Sequence, residues 1–320
     1  MNKPITIYIT MGDPGGIGPE IIFKSLKEIK KESSISKLNC TFCLIGDENI
    51  LDKYSSEYKV NLKLYTEESR NTESIFYQPV ESRGSPGEDS LNYIDKAVES
   101  CLEKKNSGLV TAPVSKEAVS KVKKDFRGHT EYIGKYAGAE NTAMTFISKK
   151  VKLSLLTTHL PLKEIAPSIS KELIISHIQT VHNGLKKLFE MENPRIVICS
   201  LNPHMGEGGL LGTEEIEVYK PAVDALNSKG LDVKGPVSPS SALKMAVEGK
   251  YDFVVSSYHD QLLSGVKNFL SPCVNLTMGL PFVRTSPDHG PAPELTGKEL
   301  ADYSSMKMSI ELAVKLTDKV

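Results

Sequence analysis

Little in this chain sets it apart from an ordinary globular protein. Five cysteines in 320 residues are too few for a disulfide scaffold. Cys40 and Cys43 have C-x-x-C spacing, but they lie in CTFCLIG, a strand-like run that points them to opposite sides. Core packing explains them better than metal or redox work. No stretch approaches the roughly 20 apolar residues of a membrane span. The opening MNKPITIYITMGDPGG has too short an apolar run for a signal peptide and reads as a first strand. A formal net charge of −1 gives no electrostatic reason to bind nucleic acid or an anionic membrane. These absences point to a reducing cytoplasm, with neither nucleic acid nor membrane as partner. The glycines of GDPGGIGPE do not follow G-x-G-x-x-G, and no Gly-Lys-Ser/Thr occurs there, so neither the Rossmann nor the P-loop fingerprint applies.

The chain does contain a regular alternation of strand-like and helical stretches. ITIYIT, CTFCLIGDE, SGLVTAP, RIVICSLNPH and YDFVVSSYHD are short runs rich in Val, Ile, Leu, Phe and Tyr. Between them lie amphipathic stretches such as SLNYIDKAVESCLEKK and KELIISHIQTVHNGLKKLFEM. AMTFIS and VKLSLLTTH can form a hairpin. NLTMGLPFVRTS reads as one further strand-like run that ends at Arg284. Such alternation predicts an α/β fold with a largely parallel sheet covered by helices.

Three of the seven histidines close apolar runs: His159 after VKLSLLTT, His204 after RIVICSLNP and His259 after YDFVVSSY. Ligands in open α/β sheets collect outside the carboxyl ends of strands. Three neutral imidazoles there would make a facial metal site with open positions for substrate. The blander alternative is that each histidine hydrogen-bonds a loop. Asp260, next to His259, can be a further ligand, an orienting partner or a base. In GHTE, Thr130 can cap a helix while His129 faces an anion. Arg284 is well placed for two-pronged phosphate or carboxylate binding. His177 and His182 lie in a long helix and read as structural or exposed. GDPGGIGPE is equally an anion cradle or a glycine-shaped turn. Asp288-His289-Gly290 lies in a Pro/Gly loop that can pack against a flat ring.

Taken in order, GDPGGIGPE, GHTE, TTHLPL, LNPHMGEGG, GTEEI, YHDQ and PDHG resemble the 4-hydroxythreonine-4-phosphate dehydrogenases, the PdxA family, from about residue 6 to the C-terminus. The resemblance implies an isocitrate/isopropylmalate dehydrogenase-like fold of two α/β/α subdomains with a central cleft. The expected division is 1–125 plus 275–320, and 126–274. It implies NAD or NADP as cofactor, and one divalent ion (Zn, Mg or Co) per active site on His159, His204 and His259. A homodimer would share that metal site between its chains. Substrate contacts would fall on His129, Thr130, Lys267, Asn275 and Arg284. The cofactor would meet Asp288, His289 and Gly290, since DHGPAPELTGK looks like the adenine-side loop of isopropylmalate dehydrogenase. Asp260 and Lys116 are the candidate proton acceptors.

The implied reaction is oxidation of 4-phosphohydroxy-L-threonine to a β-keto acid, which decarboxylates to 3-amino-2-oxopropyl phosphate in pyridoxal phosphate biosynthesis. The chain departs from the family at Ser240, where a carboxylate is usual, and at Pro291, which replaces a hydroxyl residue. Loss of an acid that could pair with an amine keeps 4-phospho-threonate and 4-phospho-erythronate open as substrates. A metal-dependent hydrolase and a non-catalytic phosphosugar-binding protein are the readings of other classes.

Overall fold

A computed structural model describes residues 4–31, 39–66, 69, 75–269 and 272–319. It separates into two compact units, 1–139 with 280–320, and 140–279. The first unit begins with β1 (Ile5–Thr10), α1 (Gly18–Lys31), β2 (Cys40–Gly46), α2 (Glu48–Tyr58), β3 (Leu62–Leu64) and β4 (Ile75–Pro79). It continues with α3 (Pro86–Glu103), β5 (Ser107–Thr111), α4 (Lys116–Val122) and α5 (His129–Tyr136). The second unit holds β6 (Ala143–Ile147), β7 (Lys152–Leu155), α6 (Leu162–Ser168), α7 (Lys171–Phe189), β8 (Arg195–Cys199), α8 (Lys220–Asn227) and β9 (Asp232–Val237). It ends with α9 (Pro239–Val247), β10 (Phe253–Ser256), α10 (His259–Phe269) and β11 (Val274–Met278). The chain then returns to the first unit as β12 (Val283–Pro287) and α11 (Ser304–Thr317).

Strands of the first unit run β3-β4-β2-β1-β5-β12, all parallel. β1 and β2 are buried along their whole length, which explains why they read as unbroken apolar runs rather than alternating ones. α3 and α11 both pack on β1 and β5. The expected boundary near 125 falls later because α5 packs on α3, where the Tyr132 and Tyr136 hydroxyls donate to Asp95 (2.6 Å) and Glu99 (2.8 Å).

Strands of the second unit run β11-β6-β7-β10-β8-β9. β11, β6 and β7 are antiparallel neighbours, so AMTFIS and VKLSLLTTH do form a hairpin. β7, β10, β8 and β9 are parallel. α7 shows why one sequence stretch becomes a helix. Ser170 caps it by accepting from Leu173 N (3.1 Å), and Ile174, His177, Ile178, Val181, Leu185 and Leu188 form its buried stripe.

Two expectations need correction. NLTMGLPFVRTS is two strands, β11 and β12, because Gly279 takes φ +94° between them. Arg284 therefore sits inside β12, in register with Leu109, rather than at a strand end. Thr130 does not cap α5, because Gly128 holds the capping position with no side-chain hydrogen bond. All five cysteines are free and buried, Cys40 and Cys43 within β2. Among the described residues, no helix is long and apolar enough to cross a membrane.

Candidate functional site

In the second unit, β10 lies between β7 and β8, so three parallel strands present their carboxyl ends side by side. Pairing continues past β7, with Leu156 N donating to Ser256 O (2.8 Å) and Thr157 Oγ1 to Ser257 O (2.8 Å). His159 and His259 each follow two residues later. Equal extension on adjacent strands therefore brings their rings to a centroid separation of 6.0 Å. Asp260 Oδ1 lies 3.0 Å from His259 Nδ1 and orients that ring, leaving Nε2 on the other side. Gln261 locks the turn. It accepts from Ser257 N (2.8 Å) and donates to Ser200 O at the end of β8 (2.7 Å). Zinc sits about 2.0–2.1 Å from a ligating imidazole nitrogen, so two rings at this separation fit a shared divalent ion.

His204 follows β8 on an unusual backbone. His204, Met205, Gly206, Glu207 and Gly208 take φ of 51°, 57°, 78°, 46° and 68° in succession. Three of these are not glycine, and each such residue costs about 1–2 kcal/mol in the left-handed region. His204 is exposed. Among the described residues no group of three or more His, Cys, Asp or Glu could hold a metal within one chain. One chain thus offers a two-imidazole half-site and a third histidine that does not complete it. Lys267 and Asn275 both neighbour Phe146 in this unit. The Lys267 ammonium lies 5.5 Å from the centre of the Phe146 ring, and Asn275 pairs with Phe146 across β11 and β6. The Asn275 side-chain oxygen is buried and accepts no hydrogen bond from the protein.

The first unit brings together a different set. Arg284 is only 1% exposed and donates to Thr111 Oγ1 at 2.5 Å. Burial pulls the Arg284 pKa down to about 9, opposed by the Glu131 carboxylate. The guanidinium therefore stays charged at neutral pH. His129 is held well below the ordinary histidine pKa, chiefly by burial and then by the Arg284 and Lys116 cations. Its ring is neutral at pH 7, and its Nε2 is buried with no protein partner. Thr130 is buried beside it, whereas Lys116 is exposed at the start of α4. A neutral imidazole, a buried hydroxyl and a dry guanidinium are groups with the chemistry to bind an anion that also accepts or donates one hydrogen bond.

The glycine loop and the 288–296 loop pack together in the same unit. Gly15 N donates to Asp13 Oδ1 (2.8 Å), Gly16 N to Asp13 O (3.0 Å) and Ile17 N to Pro291 O (2.8 Å). Those three amides are satisfied by the protein itself, which supports the reading of GDPGGIGPE as a glycine-shaped turn. Gly16 has to be glycine, because a Cβ there would lie 2.9 Å from Pro291. Asp288 accepts from Ser305 Oγ (3.1 Å), and His289 Nδ1 lies 3.0 Å from Gly290 O while its Nε2 is buried without a protein partner. The departure at Ser240 falls in an exposed cap, where Ser238 Oγ accepts from Ser241 N (3.4 Å).

Sequence reasoning missed Thr111, Asn202 and Glu215. Thr111 carried one signal, its place at the carboxyl end of a parallel strand. Asn202 and Glu215 lie within motifs noted above, but nothing local distinguishes them from solvated polar residues.

A family model described as "Pyridoxal phosphate biosynthetic protein PdxA" matches residues 38–313. A 4-hydroxythreonine-4-phosphate dehydrogenase of Sulfurihydrogenibium sp. is 36% identical over 98% of both chains. One of Geobacter metallireducens is 35% identical over 98% of this chain and 96% of its own. The solved 4-hydroxythreonine-4-phosphate dehydrogenase of Klebsiella pneumoniae superposes with a TM-score of 0.82 at 32% identity, covering 98% of this chain and 99% of that one.

Proposed function

Since the chain belongs to the PdxA family and is an oxidoreductase, we propose that it oxidises 4-phosphohydroxy-L-threonine in pyridoxal phosphate biosynthesis, in the cytoplasm. NAD or NADP and one divalent ion (Zn, Mg or Co) serve the reaction. The observation that carries this reading is the pair of imidazoles, His159 and His259, just past the carboxyl ends of the adjacent parallel strands β7 and β10, with ring centres 6.0 Å apart. A divalent ion on these rings and His204 would lower the pKa of the substrate hydroxyl, and nicotinamide would take the hydride.

The protein's own residues supply the rest. Asp260 keeps the His259 ring turned with Nε2 outward. Arg284 and Lys267 bind anionic oxygens of the substrate, and Asn275 presents an acceptor. His129, neutral at pH 7, exchanges a hydrogen bond with the substrate, and Thr130 lies beside it. Lys116 and Asp260 are the proton acceptors available. The β-keto acid product decarboxylates to 3-amino-2-oxopropyl phosphate. Asp288, His289 and Gly290 form the cofactor side, in a loop anchored by Ser305.

A homodimer with the metal site shared between chains completes the ligand set. Two features support it: the described residues of one chain hold no three-residue set, and Met205, Leu210, Leu211 and Ile216 expose apolar surface around the His204 loop. The deciding experiment is a turnover screen with NAD and NADP, with and without added metal. Its substrates are 4-phosphohydroxythreonine, 4-phosphothreonate and 4-phosphoerythronate. Nicotinamide reduction strongest with the first is expected. A preference for an acid lacking the amine would move the substrate to the neighbouring class. No reduction with any of the three would overturn the reading.

A further inference from the structure

The motif LNPHMGEGGLLGTEEI carries its histidine on a run of left-handed backbone, closed by Met205 N donating to Asn202 O (3.2 Å) and Leu211 N to Gly206 O (3.0 Å). A further restraint comes from outside the run. Glu215 is buried at 3% exposure at the start of a single π-helical turn, Glu215–Tyr219. One carboxylate oxygen, Oε1, accepts from Leu201 N (2.9 Å) and Asn202 N (2.7 Å). The other, Oε2, accepts from Asn202 Nδ2 (2.9 Å), which also donates to Glu214 (2.6 Å). Three donors from the two residues just before Pro203-His204 thus converge on one carboxylate. Only an acceptor-only group meets all three, since a glutamine would turn an NH₂ against either the amides or Asn202.

The same turn reaches the strand end that leads to His259. Tyr219, at its far end, is fully buried, with its hydroxyl 2.8 Å from Ser257 Oγ, two residues before His259. Ser257 Oγ in turn donates to Cys199 O at the end of β8 (3.1 Å). One short element therefore braces the His204 loop against the strand that leads to His259. We propose that Glu215 is a positioning residue that sets the His204 imidazole for metal coordination. This rests on the reading of His204 as a ligand. Outer groups that orient ligands in this way are commonly worth 10–100-fold in metal affinity.

The test is Co(II) titration of the metal-stripped, full-length protein, read by the visible absorption of the bound ion, with zinc competition for affinity. Glu215→Gln should weaken binding about 10- to 100-fold and alter the Co(II) spectrum, which reports ligand geometry rather than fold. Gly206→Ala attacks the same clamp without touching its charge. Its Cβ would lie 2.6 Å from Gly212 O and 3.0 Å from Glu215 Oε2, at a φ of +78°. It should act in the same direction, which keeps the test open if Glu215→Gln fails to fold. Glu214→Gln, whose neighbour contact is to the Asn202 amide alone, should bind nearly as the parent does. His204→Ala should lose far more affinity than any of these. If His204→Ala loses the metal while Glu215→Gln and Gly206→Ala bind with parental affinity and spectrum, the clamp is refuted. If His204→Ala binds normally, the ligand reading falls, and the proposal with it.

Discussion

The two units hold their candidate site residues in opposite ways. In the first, Arg284 and Thr130 are buried, His129 Nε2 is sealed off, and the neighbouring charges, Glu131 and Lys116, come from the same unit. That half is assembled before any ligand arrives. In the second, His159 and His204 are exposed and His259 only half-buried, and the described residues of one chain do not gather three metal-ligating side chains. In the first unit the desolvation that works against the Arg284 charge is opposed from within the unit, by Glu131. In the second unit His204 stands on left-handed backbone, and under the proposed metal reading its set of imidazoles needs a further copy of the chain to complete it.

Removing a ligand from the incomplete half should have the largest effect. His259→Ala is expected to lower metal content by orders of magnitude, measured by elemental analysis of the purified protein. A full complement of metal in that variant would reject the assignment. The next test asks whether the missing ligand comes from a second copy. His204→Ala and His259→Ala should each be inactive alone, yet co-expressed they should form mixed dimers that regain activity, because one of the two shared sites is then intact. Fully active monomers by sedimentation at micromolar concentration would contradict this.

The preassembled half predicts a smaller, separable loss. Charge-assisted hydrogen bonds contribute about 1.5–3 kcal/mol each, so Arg284→Ala should reduce kcat/KM roughly ten- to hundredfold. Metal affinity should be unchanged. Arg284→Lys should restore only part of the activity, since an ammonium keeps the charge without the planar fork. Normal turnover by Arg284→Ala, or equal turnover of a dephosphorylated substrate, would put the phosphate site elsewhere.

The smallest expected effect is one the two units share. His177 in the second unit is held near pKa 4 by burial, with Nε2 2.9 Å from Ser154 Oγ, and His129 in the first is held well below 6.5. Both folded pKa values lie below the unfolded one, so unfolding takes up protons in acid. The stabilisation is fully present above about pH 6.5 and is lost as pH falls, by about 1.4 kcal/mol per pH unit for each histidine. Urea midpoints measured from pH 7 to pH 5 should drop, and His177→Gln should flatten that slope. An unchanged slope would mean that His177 is not held neutral.

Much of this was legible in advance. The apolar runs became strands, the amphipathic stretches became helices, and the three histidines do follow strand ends. Arg284 was picked out for its chemistry but misplaced, because a single glycine divides what reads as one run. Thr111 was legible only by its place at a strand end and Glu215 not at all, because their importance comes from partners far along the chain, 173 residues away for Thr111 and 13–14 for Glu215. Lys116 and His129 could be named, but the electrostatic coupling between them depends on packing.

The sequence by itself determined which segments become strands and helices, because a period of 2 or 3.6 is a local property of the chain. It placed the cysteines in the interior and the histidines beyond their strands. Only the tertiary structure decided that β10 lies between β7 and β8, against chain order, so that His159 meets His259 while His204 stands apart. It also decided that Glu215 is buried under a left-handed loop and that Arg284 is dry. Strand order, desolvation and convergent hydrogen bonds are properties of residues distant in sequence, and they exist only once the chain has packed.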